Sequence, residues 1–178
     1  LIMEDNYDIS GLKKKKKVNS RTKGNSFERQ IAKTFNDRFN TTEFSRSPGS
    51  GAFATTHTLP DYLKIYGDLI TPQNFKYCIE CKKGYNKENL YSLYNYSSDF
   101  WGFLDQCLKD SKKCDKIPMV IYKQDRQPTL AIVPNYVKVN MLQQYIEIQK
   151  QEDAFTLRVY RIYKLEDLLE DYDSFWMN

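Results

Sequence analysis

Three ionisable side chains sit in two short apolar stretches of this chain, and their types suit phosphate chemistry. Asp68 lies in the run 65–70, and Glu80 and Lys82 lie in the run 77–82. Side chains two positions apart on a strand share a face, so Glu80 and Lys82 point the same way. Buried charges are costly unless they are paired or bound to metal. If Asp68 comes from a neighbouring strand, two carboxylates and an ammonium group converge into a hard-cation site suited to phosphodiester hydrolysis.

The order of motifs around these residues resembles the PD-(D/E)xK nucleases, and among them the Holliday-junction resolvases of archaeal and phage type. Asp68, Glu80 and Lys82 match the acid-spacer-Glu-x-Lys signature. The other motifs that carry the likeness are KGNSFER at 23–29, RSPGSG at 46–51, FWGFLDQ at 100–106 and KIPMVIYK at 116–123. The resemblance covers roughly residues 21 to 135. It implies an α/β fold with a restriction-endonuclease-like core, in which helices flank a central mixed β-sheet.

Two departures from the superfamily pattern concern the first acid. Gly67 stands where many members have proline, and a literal Pro60-Asp61 lies upstream as a rival motif. We favour Asp68 over Asp61, because Asp68 lies in an apolar run only 12 positions before Glu80. Pro-Asp beside the polar stretch Thr-His-Thr is more simply explained as turn chemistry.

The resemblance assigns a metal site to the central motif. It implies that Asp68 and Glu80 bind Mg²⁺, with Mn²⁺ as a substitute, and that the backbone carbonyl of Cys81 joins them. Mg²⁺ takes oxygen ligands and keeps several waters, so two carboxylates suffice. Lys82 would orient the attacking water or stabilise negative charge developing on the phosphate. An exposed Glu-Lys surface pair is the alternative for this motif.

Two further positions receive roles from the resemblance. Glu28 corresponds to a helix glutamate that completes the acidic cluster or binds a second metal ion. Its alternative role is structural, because Asn25 and Glu28 have the spacing of a capping box at the start of a helix. Gln106, on a later helix, is a candidate for positioning water, and an exposed surface glutamine is the alternative.

Four positions in the upstream motifs are candidates for DNA contact. Arg29 and Arg46 could clamp phosphates by bidentate hydrogen bonding, with solvated surface charge as the alternative. Ser50 and Gly51 resemble the family's flexible loop near the cleaved strand. Glycine allows a backbone to approach phosphate closely, whereas the alternative is an ordinary turn.

The positive charge of the chain is concentrated near its N-terminus. The net charge is +4, and without five consecutive lysines the remaining residues carry −1. Those lysines are Lys13, Lys14, Lys15, Lys16 and Lys17. Such runs are usually solvated and bind phosphates without sequence preference. We interpret residues 1–22 as a flexible basic arm; a solubilising or expression-derived tail is the alternative.

Length and composition favour one globular unit. The chain has 178 residues, of which 40% are hydrophobic and 28% charged. We expect a single nuclease domain at 23–178, with its core at about 23–135 and a C-terminal extension at 136–178. No apolar run approaches the length of a membrane span and no signal peptide is visible. We therefore expect a cytoplasmic protein that is not secreted and contacts no membrane.

The four cysteines suggest neither a disulfide framework nor a zinc site. Cys78 and Cys81 have C-x-x-C spacing, but positions three apart on a strand face opposite sides. We interpret them as small core residues.

Hydrophobic periodicity predicts the elements that position these groups. We expect helices at 26–39, 99–113 and 164–172, strands at 65–70, 76–82, 119–123 and 129–133, and one or two strands within 145–163.

The sequence thus predicts a metal-dependent, structure-selective endodeoxyribonuclease acting on branched DNA, above all four-way Holliday junctions. Two matched cuts on a two-fold symmetric junction favour a homodimer. The alternatives are a restriction or repair endonuclease on the same core, and a DNA-binding module without catalytic activity.

Overall fold

The computed structural model describes residues 20–48 and 66–178. Predictions for Ser50, Gly51, Asp61, the lysines at 13–17 and the arm at 1–19 lie outside these ranges. The helices are α1 (Ser20–Phe39), α2 (Leu90–Tyr94), α3 (Asp99–Lys113), α4 (Leu165–Leu169) and α5 (Asp173–Trp176). The strands are β1 (Ser45–Arg46), β2 (Leu69–Ile70), β3 (Tyr77–Lys83), β4 (Ile117–Lys123), β5 (Leu130–Pro134), β6 (Ile146–Gln151) and β7 (Leu157–Lys164).

The central sheet has five strands in the order β3-β4-β5-β7-β6. β3 and β4 are parallel, and Glu80 lies opposite Val120 in that pair. The remaining pairs are antiparallel. The predicted fold class, an α/β fold with a mixed sheet flanked by helices, is confirmed.

Alternation along the strands divides the interior into two apolar layers. Ile79, Cys81 and Ile121 face the layer that α1, α4 and α5 cover. Val120, Tyr122 and Ile132 face the opposite layer, which α3 covers. Because β3 is buried along most of its length, any charge that it carries must be paired or bound.

The start of α1 differs from the prediction. The helix begins at Ser20 rather than at residue 26, so its first three residues fall in the segment assigned to the basic arm. The expected capping box is therefore wrong, because Asn25 lies inside the helix. The Asn25 side chain instead accepts a hydrogen bond from Arg46. The apolar stripe of α1 is as predicted, with Phe27, Ile31 and Phe35 buried.

The C-terminal region is an integral part of the core. β6 and β7 supply two of the five strands, and Trp176 is fully buried among the rings of Phe35, Phe75 and Tyr77. The backbone amide of Lys76 donates to the carbonyl of Trp176 at 2.9 Å. These contacts hold the start of β3 and give residues 136–178 a role that the sequence left open.

The predicted boundaries of α3 are confirmed. The strands predicted at 119–123 and 129–133 form as β4 and β5, within two residues at each end. None of the helices within residues 20–48 and 66–178 combines the length and apolarity needed to span a bilayer.

Candidate active site

Asp68 lies in a turn rather than in a strand. Of the predicted strand at 65–70, only Leu69–Ile70 is extended among the described residues. Hydrogen bonds from two sides hold the turn. Asp68 N–H donates to the carbonyl of Ile79 (2.8 Å), and Cys81 N–H donates to Asp68 Oδ2 (2.7 Å). Ser47 donates from its amide to the carbonyl of Asp68 (2.9 Å) and from its hydroxyl to the carbonyl of Gly67 (3.1 Å). The Asp68 carboxylate is thereby fixed against the backbone of β3, next to Glu80.

The turn depends on Gly67. Its φ is +78°, and a Cβ atom there would lie 2.6 Å from the carbonyl oxygen of Ile79 and 3.1 Å from Cys78 Sγ. Proline, which many superfamily members have at this position, fixes φ near −65° and cannot adopt this conformation. The turn can therefore approach β3 this closely only because residue 67 is glycine.

Replacing this glycine should destabilise the protein. We expect Gly67→Ala to lower the free energy of unfolding by about 2 kcal/mol or more, since both the positive φ and the clash with Ile79 oppose a side chain. Urea denaturation measures the loss. Gly84→Ala is the matched control, because Gly84 also has a positive φ (+103°) but no neighbouring atom within 4 Å. Equal losses in the two variants would show that the clash is absent.

Glu80 and Lys82 share the face of β3 that α3 covers, as the alternation predicts. Lys82 Nζ lies 2.5 Å from Glu80 Oε1, and the two side chains are 18% and 2% exposed. The ammonium group also lies over the ring of Phe103, 5.3 Å from its centroid. Glu80 is thus a buried carboxylate whose Oε1 is paired with the ammonium group of Lys82.

The electrostatics of this pair depend on burial and on Asp68. Burial, followed by the nearby Asp68 carboxylate, raises the pKa of Glu80 to about 7. Burial alone would lower the pKa of Lys82, but the carboxylates of Glu80 and Asp68 raise it above its ordinary value. Lys82 therefore keeps its positive charge at neutral pH, while the pKa of about 7 lets Glu80 titrate near neutral pH as long as no metal ion is bound.

Glu28 reaches the same site from α1 and is held by an arginine. Arg46 donates from Nε to Glu28 Oε2 at 2.6 Å and from a terminal nitrogen to Asn25 Oδ1 at 2.9 Å. Burial, and then Asp68, raise the pKa of Glu28. Arg46 is only 20% exposed. The structure thus assigns the Arg46 guanidinium to Glu28 rather than presenting it as a free phosphate clamp.

One cleft of about 510 Å³ contains the carboxylates of Glu28, Asp68 and Glu80 together with the ammonium group of Lys82. Its walls come from α1, the Gly67-Asp68 turn, β3 with the residues that follow it, and α3. They comprise Lys23, Gly24, Glu28, Asp68, Glu80, Cys81, Lys82, Lys83, Gly84, Tyr85 and Gln106. Gln106 is exposed at this wall, a position that fits both a water-positioning residue and an ordinary surface glutamine. Arg29, in contrast, is exposed on α1 and lines a separate depression with Arg46.

The comparisons with known proteins decide the family. The family described as "Phage putative PDDEXK endonuclease" matches residues 19–176. The chain belongs to this family. It is also similar to Protein D14 of Escherichia phage T5, with 34% identity over 115 residues that make up 61% of this chain and 67% of that protein. No solved structure matches the chain. The superfamily predicted from the motifs is therefore confirmed, and the chain is a nuclease.

The donor set of this nuclease fits a hard divalent cation in an open site. Within residues 20–48 and 66–178, no three His, Cys, Asp or Glu side chains converge closely enough to enclose an ion. Asp68 and Glu80 contribute two carboxylates to the cleft, a number that suits Mg²⁺, which keeps much of its water shell. Burial raises the pKa of the Cys81 thiol well above its ordinary value, so this thiol stays protonated and is a poor ligand. PD-(D/E)xK nucleases generally use divalent metals, and this site offers oxygen ligands for one.

Removing Arg46 from the nuclease tests its assignment to Glu28. We expect Arg46→Ala to reduce cleavage by about tenfold or more, because residues that orient ligands typically have effects of this size. DNA affinity and its salt dependence should stay within about twofold. Quantitative cleavage and anisotropy titrations measure the two quantities, with Arg29→Ala as a control. A weakened affinity with a shallower salt slope would instead identify Arg46 as a phosphate contact.

Sequence reasoning did not anticipate three cleft residues of the nuclease, Lys23, Lys83 and Tyr85. A signal existed for each of them. Lys23 opens the motif at 23–29 and lies about 1.4 helical turns before Glu28. Lys83 and Tyr85 follow the Glu-x-Lys motif almost directly, so a strand that ends at the site delivers them to its wall.

Proposed function

We propose that this nuclease is a metal-dependent endodeoxyribonuclease that hydrolyses phosphodiester bonds in branched DNA, with the four-way Holliday junction as its principal substrate. One observation carries the catalytic part of the proposal. Asp68, Glu80 and Lys82 line a single cleft in a member of a phage endonuclease family. The preference for junctions is supported by the order of motifs along the chain.

The residues would divide the chemistry as follows. Asp68 and Glu80, with the carbonyl of Cys81, would hold Mg²⁺ or Mn²⁺, which supplies charge stabilisation at the phosphate and a more acidic water. Lys82 would donate hydrogen bonds to the non-bridging oxygens of the scissile phosphate. The Glu80 carboxylate and the Phe103 ring hold its ammonium group in place for this role. Gln106 would orient the water.

The reaction is a direct displacement at phosphorus. An attacking water forms the new P–O bond in line with the bond to the 3′-oxygen, which breaks. One proton passes to solvent and another is taken up by the departing oxygen. The products would carry 5′-phosphate and 3′-hydroxyl ends.

Junction resolution requires a second active site. A four-way junction has two-fold symmetry, and one chain supplies one catalytic cleft, so we propose a homodimer with matching symmetry. The five lysines at 13–17 would add sequence-independent affinity for phosphates. The shape and deformability of the branch, rather than base contacts, would provide selectivity.

A cleavage comparison tests the proposal. Wild-type protein should cut a four-way junction at least about tenfold faster than a linear duplex of the same sequence, in Mg²⁺ or Mn²⁺. Asp68→Asn should bind the junction and not cut it, since the amide oxygen can still accept from Cys81 N–H. Equal cleavage of both DNAs would favour a restriction or repair endonuclease. Binding without cleavage by the wild type would favour a DNA-binding module.

Metal binding should be visible in thermal stability. At a concentration about 100-fold above its dissociation constant, Mg²⁺ or Mn²⁺ should stabilise the fold by about 2.7 kcal/mol. In a protein of this size that raises Tm by roughly 5–10 °C. Because the pKa of Glu80 is about 7, protons compete with the ion below that pH, and the shift should shrink from pH 8 to pH 6. An equal shift in Asp68→Asn and Glu80→Gln would place the ion elsewhere.

A further inference from the structure

An exposed aromatic face lies close to the catalytic cleft. Leu90, Tyr91 and Tyr94 of α2 are 77%, 82% and 84% exposed. Their spacings of three and four residues place them side by side on the helix, and we call this group the α2 face. Adjacent large apolar side chains that remain this exposed mark an interaction surface.

The helix that carries the α2 face is firmly held from behind. Leu93 packs against the apolar layer under α3, and its carbonyl accepts a hydrogen bond from Trp101 Nε1 at 3.2 Å. The Glu88 carboxylate accepts hydrogen bonds from the hydroxyls of Ser92 and Ser98. The aromatic rings are therefore presented on a fixed support, which lowers the entropic cost of binding a flat partner.

A short segment of chain connects the α2 face to the active site. Tyr85 lines the catalytic cleft, and its ring meets Phe103 with centroids 4.6 Å apart. The side-chain amide of Gln124 donates to the carbonyls of both Tyr85 and Glu88 and so ties the connecting segment to β4. Leu90 lies five positions after Tyr85, so their Cα atoms lie within about 18 Å of each other.

The charges along this path select the kind of partner. Lys83 lines the cleft and Lys87 is exposed between Tyr85 and α2. The acid in this stretch, Glu88, keeps its charge and directs its carboxylate toward the hydroxyls of Ser92 and Ser98. Basic groups that follow a backbone together with aromatic side chains that stack on bases are the features that bind single-stranded nucleic acid.

We propose that the α2 face stacks on unpaired bases of the DNA strand that leaves the catalytic cleft. This inference rests on the proposed function and extends it, because it names the recognised feature of branched DNA: unpaired bases within a few nucleotides of the scissile phosphate. The substrate class then includes flaps and single-stranded extensions as well as junctions that open at the branch point.

The test compares the double variants Tyr91→Ala/Tyr94→Ala and Tyr91→Phe/Tyr94→Phe. Fluorescence anisotropy in Ca²⁺ measures affinity for a paired linear duplex and for the same duplex with a single-stranded extension. The alanine variant should lose about tenfold or more in affinity for the extended DNA and less than about twofold for the paired DNA. The phenylalanine variant, which keeps both rings, should match the wild type. Tyr172→Ala removes a tyrosine of similar exposure (64%) in the C-terminal region and should have no effect.

Other outcomes would overturn the inference. Equal losses on both DNAs, or none, would show that the α2 face does not recognise unpaired bases. Sedimentation velocity of the alanine variant tests whether a second copy of the chain binds the α2 face instead. A change from dimer to monomer would assign the face to that second copy. The proposed function fails separately, if wild-type protein binds these DNAs but cuts none of them in Mg²⁺ or Mn²⁺.

Discussion

Glu80→Gln should reduce DNA cleavage by about a thousandfold or more while leaving DNA affinity within about twofold of the wild-type value. The substitution keeps the shape of the side chain and removes the negative charge that would bind the metal ion. A catalytic metal contributes several kcal/mol to the transition state, and each 1.36 kcal/mol corresponds to a factor of ten in rate. Single-turnover cleavage of a labelled junction gives the rate, and anisotropy gives the affinity.

The same variant should be more stable than the wild type when no divalent ion is present. The pKa of Glu80 is about 7 in the folded protein and 4.5 is its ordinary value, so the folded state disfavours the ionised form. Below pH 4.5 the carboxyl is protonated in both states and the two proteins should be equally stable. Between pH 4.5 and 7 the variant gains, and above pH 7 its advantage is constant, on the order of 3 kcal/mol at most.

Urea denaturation in EDTA at pH 5 and pH 8 measures this gain. A variant that loses catalysis and gains stability shows that the native carboxylate is placed for function at a cost to the fold. Near-normal cleavage by Glu80→Gln would remove Glu80 from the proposed ligand set. Lower stability at pH 8 would show that the ion pair with Lys82 outweighs the burial of Glu80 and the repulsion from Asp68.

Lys82→Ala should lower the cleavage rate by about 100-fold to 1000-fold, the range found when one donor to a developing negative charge is removed. It also removes the cation that keeps the pKa of Glu80 from rising further. The remaining activity should therefore shift to higher pH. The pH dependence of single-turnover cleavage separates these two effects, because the loss in rate persists at high pH and the loss of metal affinity does not.

Two matched variants sharpen the test of Lys82. Lys82→Arg keeps a positive charge beside Glu80, so metal affinity should return, while the rate should recover only in part because a planar fork differs from an ammonium group. Lys83→Ala removes the next lysine of the same cleft, whose Nζ lies 5.7 Å from the ring of Phe27. Its rate should fall by less than about tenfold. Equal losses in Lys82→Ala and Lys83→Ala would show that Lys82 contributes only general electrostatic attraction for DNA.

The sequence predicts the parts of the fold that depend on local periodicity. The alternation around Glu80 and Lys82 correctly places both side chains on one face of β3, and the stripe around Trp101 correctly bounds α3. The separation of Cys78 from Cys81 is also confirmed, because Cys81 belongs to the α1 layer while the Cys78 thiol contacts Cys114 at the end of α3.

The remaining features depend on contacts between distant segments. Asn25 has the side chain of a helix cap, but Arg46 engages it from 21 positions away and the helix continues past it. Asp68 lies in an apolar run, but the positive φ of Gly67 and the hydrogen bond to Cys81 make a turn there. Arg46 and Cys81 are distant in sequence from the residues that they contact, so a short stretch of sequence does not show these pairs. The pairing of Glu28 with Arg46 was not predicted for the same reason.

The anchoring of β3 by Phe175 and Trp176 has a consequence for the order of events during translation. The hydroxyl of Tyr77 donates to the carbonyl of Phe175 across 98 positions of the chain. A ribosome must therefore synthesise the chain through residue 176 before the strand bearing Glu80 and Lys82 can settle against its support. A truncated product that ends before residue 173 would carry every proposed catalytic side chain and still lack the scaffold that aligns them.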